Sequence, residues 1–108
     1  MSTYTPDAWV PVLIESEEFG KVYKVFAGWY GGFAGADSWK LSSGIESIQV
    51  QDDVFTMPQS SGSTYVVGKQ THVNLLMGSV FEGFEKQAAE NNFTIKMLTV
   101  EELLEAYK

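Results

Sequence analysis

A change of hydrophobic period at Gly68 divides this chain into two parts that fold by different rules. Upstream, short β-prone runs alternate apolar and polar residues with a period of two, as in Lys21-Val22-Tyr23-Lys24-Val25-Phe26. Downstream, apolar residues at 73, 76, 77, 80, 81, 84 and 88 recur at helical spacing. With 108 residues and no internal repeat or linker, residues 1–108 read as a single α+β domain. The order predicted is an antiparallel β-meander sheet of about five or six strands, a long amphipathic helix, a strand and a short C-terminal helix.

The individual elements follow from local signals. Residues 9–14, WVPVLI, are interrupted by Pro11 and predict an edge strand or an extended lead-in. Strands are expected over 21–26, 38–41, 45–50, 54–57 and 63–67, with Asp52-Asp53 and residues 58–62 as turns. Thr71 or Asn74 can cap the long helix, and Asn91-Asn92 can end it in a left-handed turn. Gly78 and Gly83 each weaken that helix by roughly 1 kcal/mol relative to alanine, so a close neighbour is expected opposite at least one of them, the alternative being a loosely packed helix. Residues 93–98 alternate as a strand. Thr99-Val100-Glu101-Glu102 matches a capping box ahead of Leu103, Leu104 and Tyr107.

Charge narrows the function. Fourteen acids face seven lysines and no arginine, giving a net charge of −7 that disfavours duplex DNA binding. The acids are compatible with mimicry of nucleic acid or with simple solvation of the surface. No apolar run reaches the roughly 18–20 residues of a membrane span, and residues 1–10 lack a secretory pattern. The chain has no cysteine, and a soluble protein of a cytoplasmic compartment is expected.

Catalytic signatures are missing. His72 is the single histidine, without a G-x-S-x-G elbow, and no H-E-x-x-H, calcium-loop or phosphate-loop spacing occurs. The expectation is therefore a non-enzyme with no catalytic residues, no metal and no cofactor.

The segment GWYGGFAGADSW, residues 28–39, stands out instead. Trp29, Tyr30, Phe33 and Trp39 supply flat rings, and Gly31, Gly32 and Gly35 let the backbone turn tightly or approach a ligand. Tryptophans in a small β protein ordinarily belong to the core, and glycines between strands ordinarily make turns. Four large rings in eleven residues exceed what one small core face hides. Rings beside free amides suit a nucleotide, the base stacking and the amides meeting phosphate oxygens. Lys40, Lys24 and Lys69 are the candidate cations.

Residues 28–45, GWYGGFAGADSWKLSSGI, together with Ser61-Gly62-Ser63-Thr64-Tyr65 leading to Asn74, resemble small proteins of tailed phages. They are similar to the first-described anti-Thoeris family, which sequesters a cyclic ADP-ribose signal made by bacterial TIR-domain immune enzymes. The resemblance spans roughly residues 21–76. It implies a β-sheet joined to C-terminal helices, homo-oligomers with nucleotide pockets between subunits, and binding without cleavage. Some members of the family also take up cyclic oligonucleotide signals. Position by position, it places Tyr65 and Asn74 near the nucleotide and lets the Trp29-to-Trp39 segment shape the pocket. The family leads one to expect arginines on the phosphates, and this chain has none. The resulting expectation is a phage anti-defence protein holding a cyclic nucleotide through Trp29, Tyr30, Gly31, Gly32, Trp39, Lys40, Tyr65 and Asn74. The alternatives are an acidic, nucleic-acid-mimicking inhibitor of a host nuclease or CRISPR effector, and a virion or structural interaction protein.

Overall fold

The computed structural model describes residues 2–31 and 35–108. Ten elements follow in chain order: β1 (Thr3–Tyr4), β2 (Ala8–Ser16), β3 (Gly20–Trp29), β4 (Ser38–Leu41), β5 (Gln49–Gln51), β6 (Val54–Pro58), β7 (Thr64–Gly68), α1 (Leu75–Glu90), β8 (Thr94–Met97) and α2 (Val100–Ala106). The α+β class and the order of sheet, long helix, strand and short helix are those expected.

The strands divide into two four-stranded sheets, ordered β1-β7-β6-β5 and β4-β3-β2-β8. Alternation with period two specifies a pleated strand but not its sheet, and the chain changes sheets just after β4. There Ile45 N–H donates to Tyr23 O in the second sheet, and Glu46 N–H donates to Pro58 O in the first. The strand expected over 45–50 is accordingly reduced to a bridge between Ile45 and Gln59 followed by β5. All strand pairs are antiparallel except β1 with β7, which is parallel.

Pro11 sits in a central strand rather than at an edge, because β2 pairs with both β3 and β8. Its partner Val25 spends both backbone groups on Ser42, accepting from Ser42 N and donating to Ser42 Oγ. The missing N–H of Pro11 therefore points away from β3, towards the side where its carbonyl accepts from Leu98 N just past the end of β8. No bond to β3 is lost; the one bond Pro11 forgoes is the reciprocal one to Leu98, beyond the last residue of β8, so the cost of proline falls at the end of that ladder.

Alternate residues of the second sheet build two cores. Trp9, Val25 and Ala27 pack with Phe55, Met57, Tyr65 and Val67 of the first sheet and with Leu103 of α2. Ala8, Val10, Val12 and Phe26 pack on the opposite face against Met77 and Phe81 of α1. The layers run first sheet, second sheet, α1. Asn74 caps α1 through Oδ1, which accepts from Met77 N at 2.8 Å, and the Thr99–Glu102 capping box of α2 is complete. Asn92, at φ +62°, supplies the left-handed turn after α1. Among the described residues the neighbour expected opposite the helix glycines is absent: a Cβ at Gly78 or Gly83 would meet nothing within 4 Å. Among the described residues, no helix is long and apolar enough to cross a membrane.

Candidate ligand-binding cleft

Strand pairing brings two sheet edges together. β1 ends the first sheet and β4 ends the second. Between them Thr3, Tyr4, Thr5, Trp29, Ser38, Trp39 and Lys40 line an open cleft of about 410 Å³. Trp29 reaches it from the end of β3, where it pairs with Ser38. It stands edge-on to Tyr4, with ring centroids 6.1 Å apart at 65°. Trp39 borders the cleft, 41% exposed, but its ring turns to the α1 face of the second sheet, edge-on to Phe84 and Phe26. The Lys40 ammonium lies 5.4 Å from the centre of the Tyr4 ring, a cation–π contact that leaves its charge available to an anion. Among the described residues, the outer edges of β1 and β4 have no strand partner.

The structure gathers some of the expected residues and disperses others. Trp29, Trp39 and Lys40 share the cleft. Tyr30 is exposed beside it but outside its lining. Gly31, at φ +56°, makes the turn that a glycine there was expected to make. Gly32 and Phe33 lie outside the described residues.

The loop amides differ from expectation in one respect that matters for binding. Tyr30 N–H donates to Asp7 Oδ2 and Gly31 N–H donates to Asp37 Oδ1, both at 2.9 Å. Two of the chain's own carboxylates thus fill the places expected for phosphate oxygens. A phosphate would have to displace them, so anion binding falls to Lys40.

Tyr65 does not face the cleft. It is 1% exposed, and its ring packs behind Tyr4 at 5.0 Å. Among the described residues its hydroxyl has no hydrogen-bond partner, and burial, with a smaller effect from Tyr4, pushes the phenol up to about 12. Asn74 stands on the α1 side of the second sheet, where its Nδ2 approaches the place a Cβ would take on Gly28. Within one subunit these two residues do not join Trp29 and Trp39 in a single site. Of the other candidate cations, Lys69 pairs with Asp53 at 3.0 Å and Lys24 lines a different groove under α1.

Tyr4, Asp7 and Asp37 escaped the sequence reading. The first was legible as a Thr-Tyr-Thr run, β-prone and ended by Pro6, although two residues make a strand too short for periodicity to register. The two aspartates bond across 23 and 6 residues respectively, and no local pattern encodes such pairings. Among the described residues, no group of three or more His, Asp or Glu side chains is placed to hold a metal. No family model matches the chain, and no curated protein or solved structure matches it either.

Proposed function

We propose that the protein is a non-catalytic binder of a small cyclic nucleotide, with the base held against Trp29 and Tyr4, Trp39 bordering the cleft at its rim, and a phosphate on Lys40. The observation that carries this reading is the cleft itself: two indoles, a phenol and a lysine lining about 410 Å³ between two sheet edges. Stacking on such rings is worth roughly 1–3 kcal/mol per base and tolerates any purine. The phage-protein resemblance makes a cyclic ADP-ribose isomer the ligand and sequestration of an immune signal the role. The open edge of β4 and the exposed Tyr30 and Trp39 suit closure of the cleft by a second copy, as a homo-oligomer with pockets between subunits requires.

Calorimetry with cyclic ADP-ribose isomers at ~100 µM protein detects any affinity better than about 5 kcal/mol. The expected result is saturable heat, recovery of intact ligand on heating, and loss of the heat in Trp39→Ala with unchanged circular dichroism. Absence of heat with every isomer overturns the reading. The same exposed rings favour a second reading, in which the β4 edge is a subunit contact and nothing more. Self-association without ligand uptake would establish that one.

A further inference from the structure

A second cavity lies on the far side of the second sheet, and its chemistry differs from that of the cleft. The amino-terminal half of α1 closes on the sheet through Met77 and Phe81, both buried. Its carboxy-terminal half does not close. Phe84 and Ala88 there stand over Ile14, Val22, Leu41 and Ile95, leaving a groove of about 560 Å³. Volumes of this order, walled mainly by apolar side chains with a few polar groups, are typical of small-molecule sites. Phe19, from the tip of the β2–β3 hairpin, and Phe93 line its end, their rings parallel within 2° and 6.3 Å apart. Phe19 is nevertheless 67% exposed.

One cation interrupts this apolar lining. Lys24 projects from β3 on the face shared with Val22 and Phe26, so its stem lies among apolar side chains. Among the described residues it makes no ion pair and no side-chain hydrogen bond, whereas Lys69 and Lys108 are each paired with a carboxylate. Burial holds its pKa below the usual lysine value, the mark of an ammonium that lacks a counter-charge. Ser43, Gln87 and Asn91 are the polar groups beside it. A single half-buried ammonium in an apolar groove complements one negative charge carried on a hydrocarbon body. A dianion suits it poorly, because Glu17 and Glu18 line the adjoining hollow with Phe19 and Phe93.

We propose that this groove binds an aliphatic monocarboxylate of fatty-acid type, its carboxylate on Lys24 and its chain along Phe84, Ala88, Ile14 and Ile95. This site is separate from the nucleotide cleft and does not depend on it. Calorimetry with dodecanoate, dodecanol and dodecyltrimethylammonium on the full chain tests it. Dodecanoate is expected to bind one per chain and at least about tenfold more tightly than the ammonium amphiphile. Lys24→Met is expected to weaken dodecanoate by about tenfold while leaving dodecanol unchanged. Ala88→Trp, which fills the groove from the helix side, is expected to abolish both. No uptake of dodecanoate overturns the proposal, as does equal binding of the cationic and anionic amphiphiles, or dodecanoate binding unchanged in Lys24→Met. A dimer that excludes dodecanoate by covering the groove overturns it equally.

Discussion

Gly28 carries no side chain because Met77 occupies the place where one would go. A Cβ there would stand 2.6 Å from Met77 Sδ and 3.1 Å from Asn74 Nδ2, and Met77 is fully buried. Gly28→Ala is therefore expected to cost about 1–3 kcal/mol, read as a lower urea midpoint at unchanged slope. Tyr65 makes the opposite case. Its hydroxyl is buried without a partner among the described residues, so Tyr65→Phe is expected to leave stability unchanged or raise it by up to about 1 kcal/mol, while Tyr65→Ala costs several. Tyr65 and Tyr107 also set the alkaline limit, since burial pushes both phenols up to about 12. The unfolded chain releases these protons near pH 10. Folded stability is thus full below pH 10 and falls as the pH rises towards 12, and Tyr65→Phe is expected to flatten that fall in alkaline urea titrations. The burial of Tyr65 was not legible beforehand. A tyrosine on an alternating strand faces one side or the other, and it takes the pairing of β7 between β1 and β6, and the packing of that sheet on the second, to bury this one beside Tyr4.

At the scale of elements, local chemistry was the best guide. The Thr99 capping box, the Asn74 cap and the Asn91-Asn92 terminus each lie within a few residues of the groups they satisfy, so they could be read directly. Thr99→Ala is expected to lower stability by about 1 kcal/mol, because the Glu102 amide loses its Thr99 Oγ1 acceptor while the reciprocal bond from the backbone N–H of residue 99 to Glu102 Oε1 is kept. The helix glycines could be located but not explained. Gly78 and Gly83 face open space, so alanine at either is expected to raise the thermal midpoint, each by about 1 kcal/mol of stability. Neither glycine marks a contact in the isolated chain. Pro11 taught the reverse lesson: it reads as an edge signal, yet it sits in a central strand with its missing N–H turned to Leu98, past the end of β8, rather than to β3.

Over the whole molecule, two sheets and one helix separate three surfaces that the sequence runs together. Trp29, at the end of β3, turns towards β1, while Trp39, in β4, turns towards α1. The cleft exists because β1 folds back beside β4, a juxtaposition of residues some 35 apart that no period or motif records. The ring cluster itself was legible, and its depth was not. The three tryptophans offer a direct reading of whether that cleft receives a base. Trp9 serves as an internal control, being buried with its indole N–H donating to Gly68 O at 2.8 Å. Titrating a cyclic ADP-ribose isomer while following the three indole N–H resonances should shift those of Trp29 and Trp39 saturably and leave that of Trp9 in place. Saturable binding with the Trp29 and Trp39 signals unmoved would contradict a nucleotide site between β1 and β4.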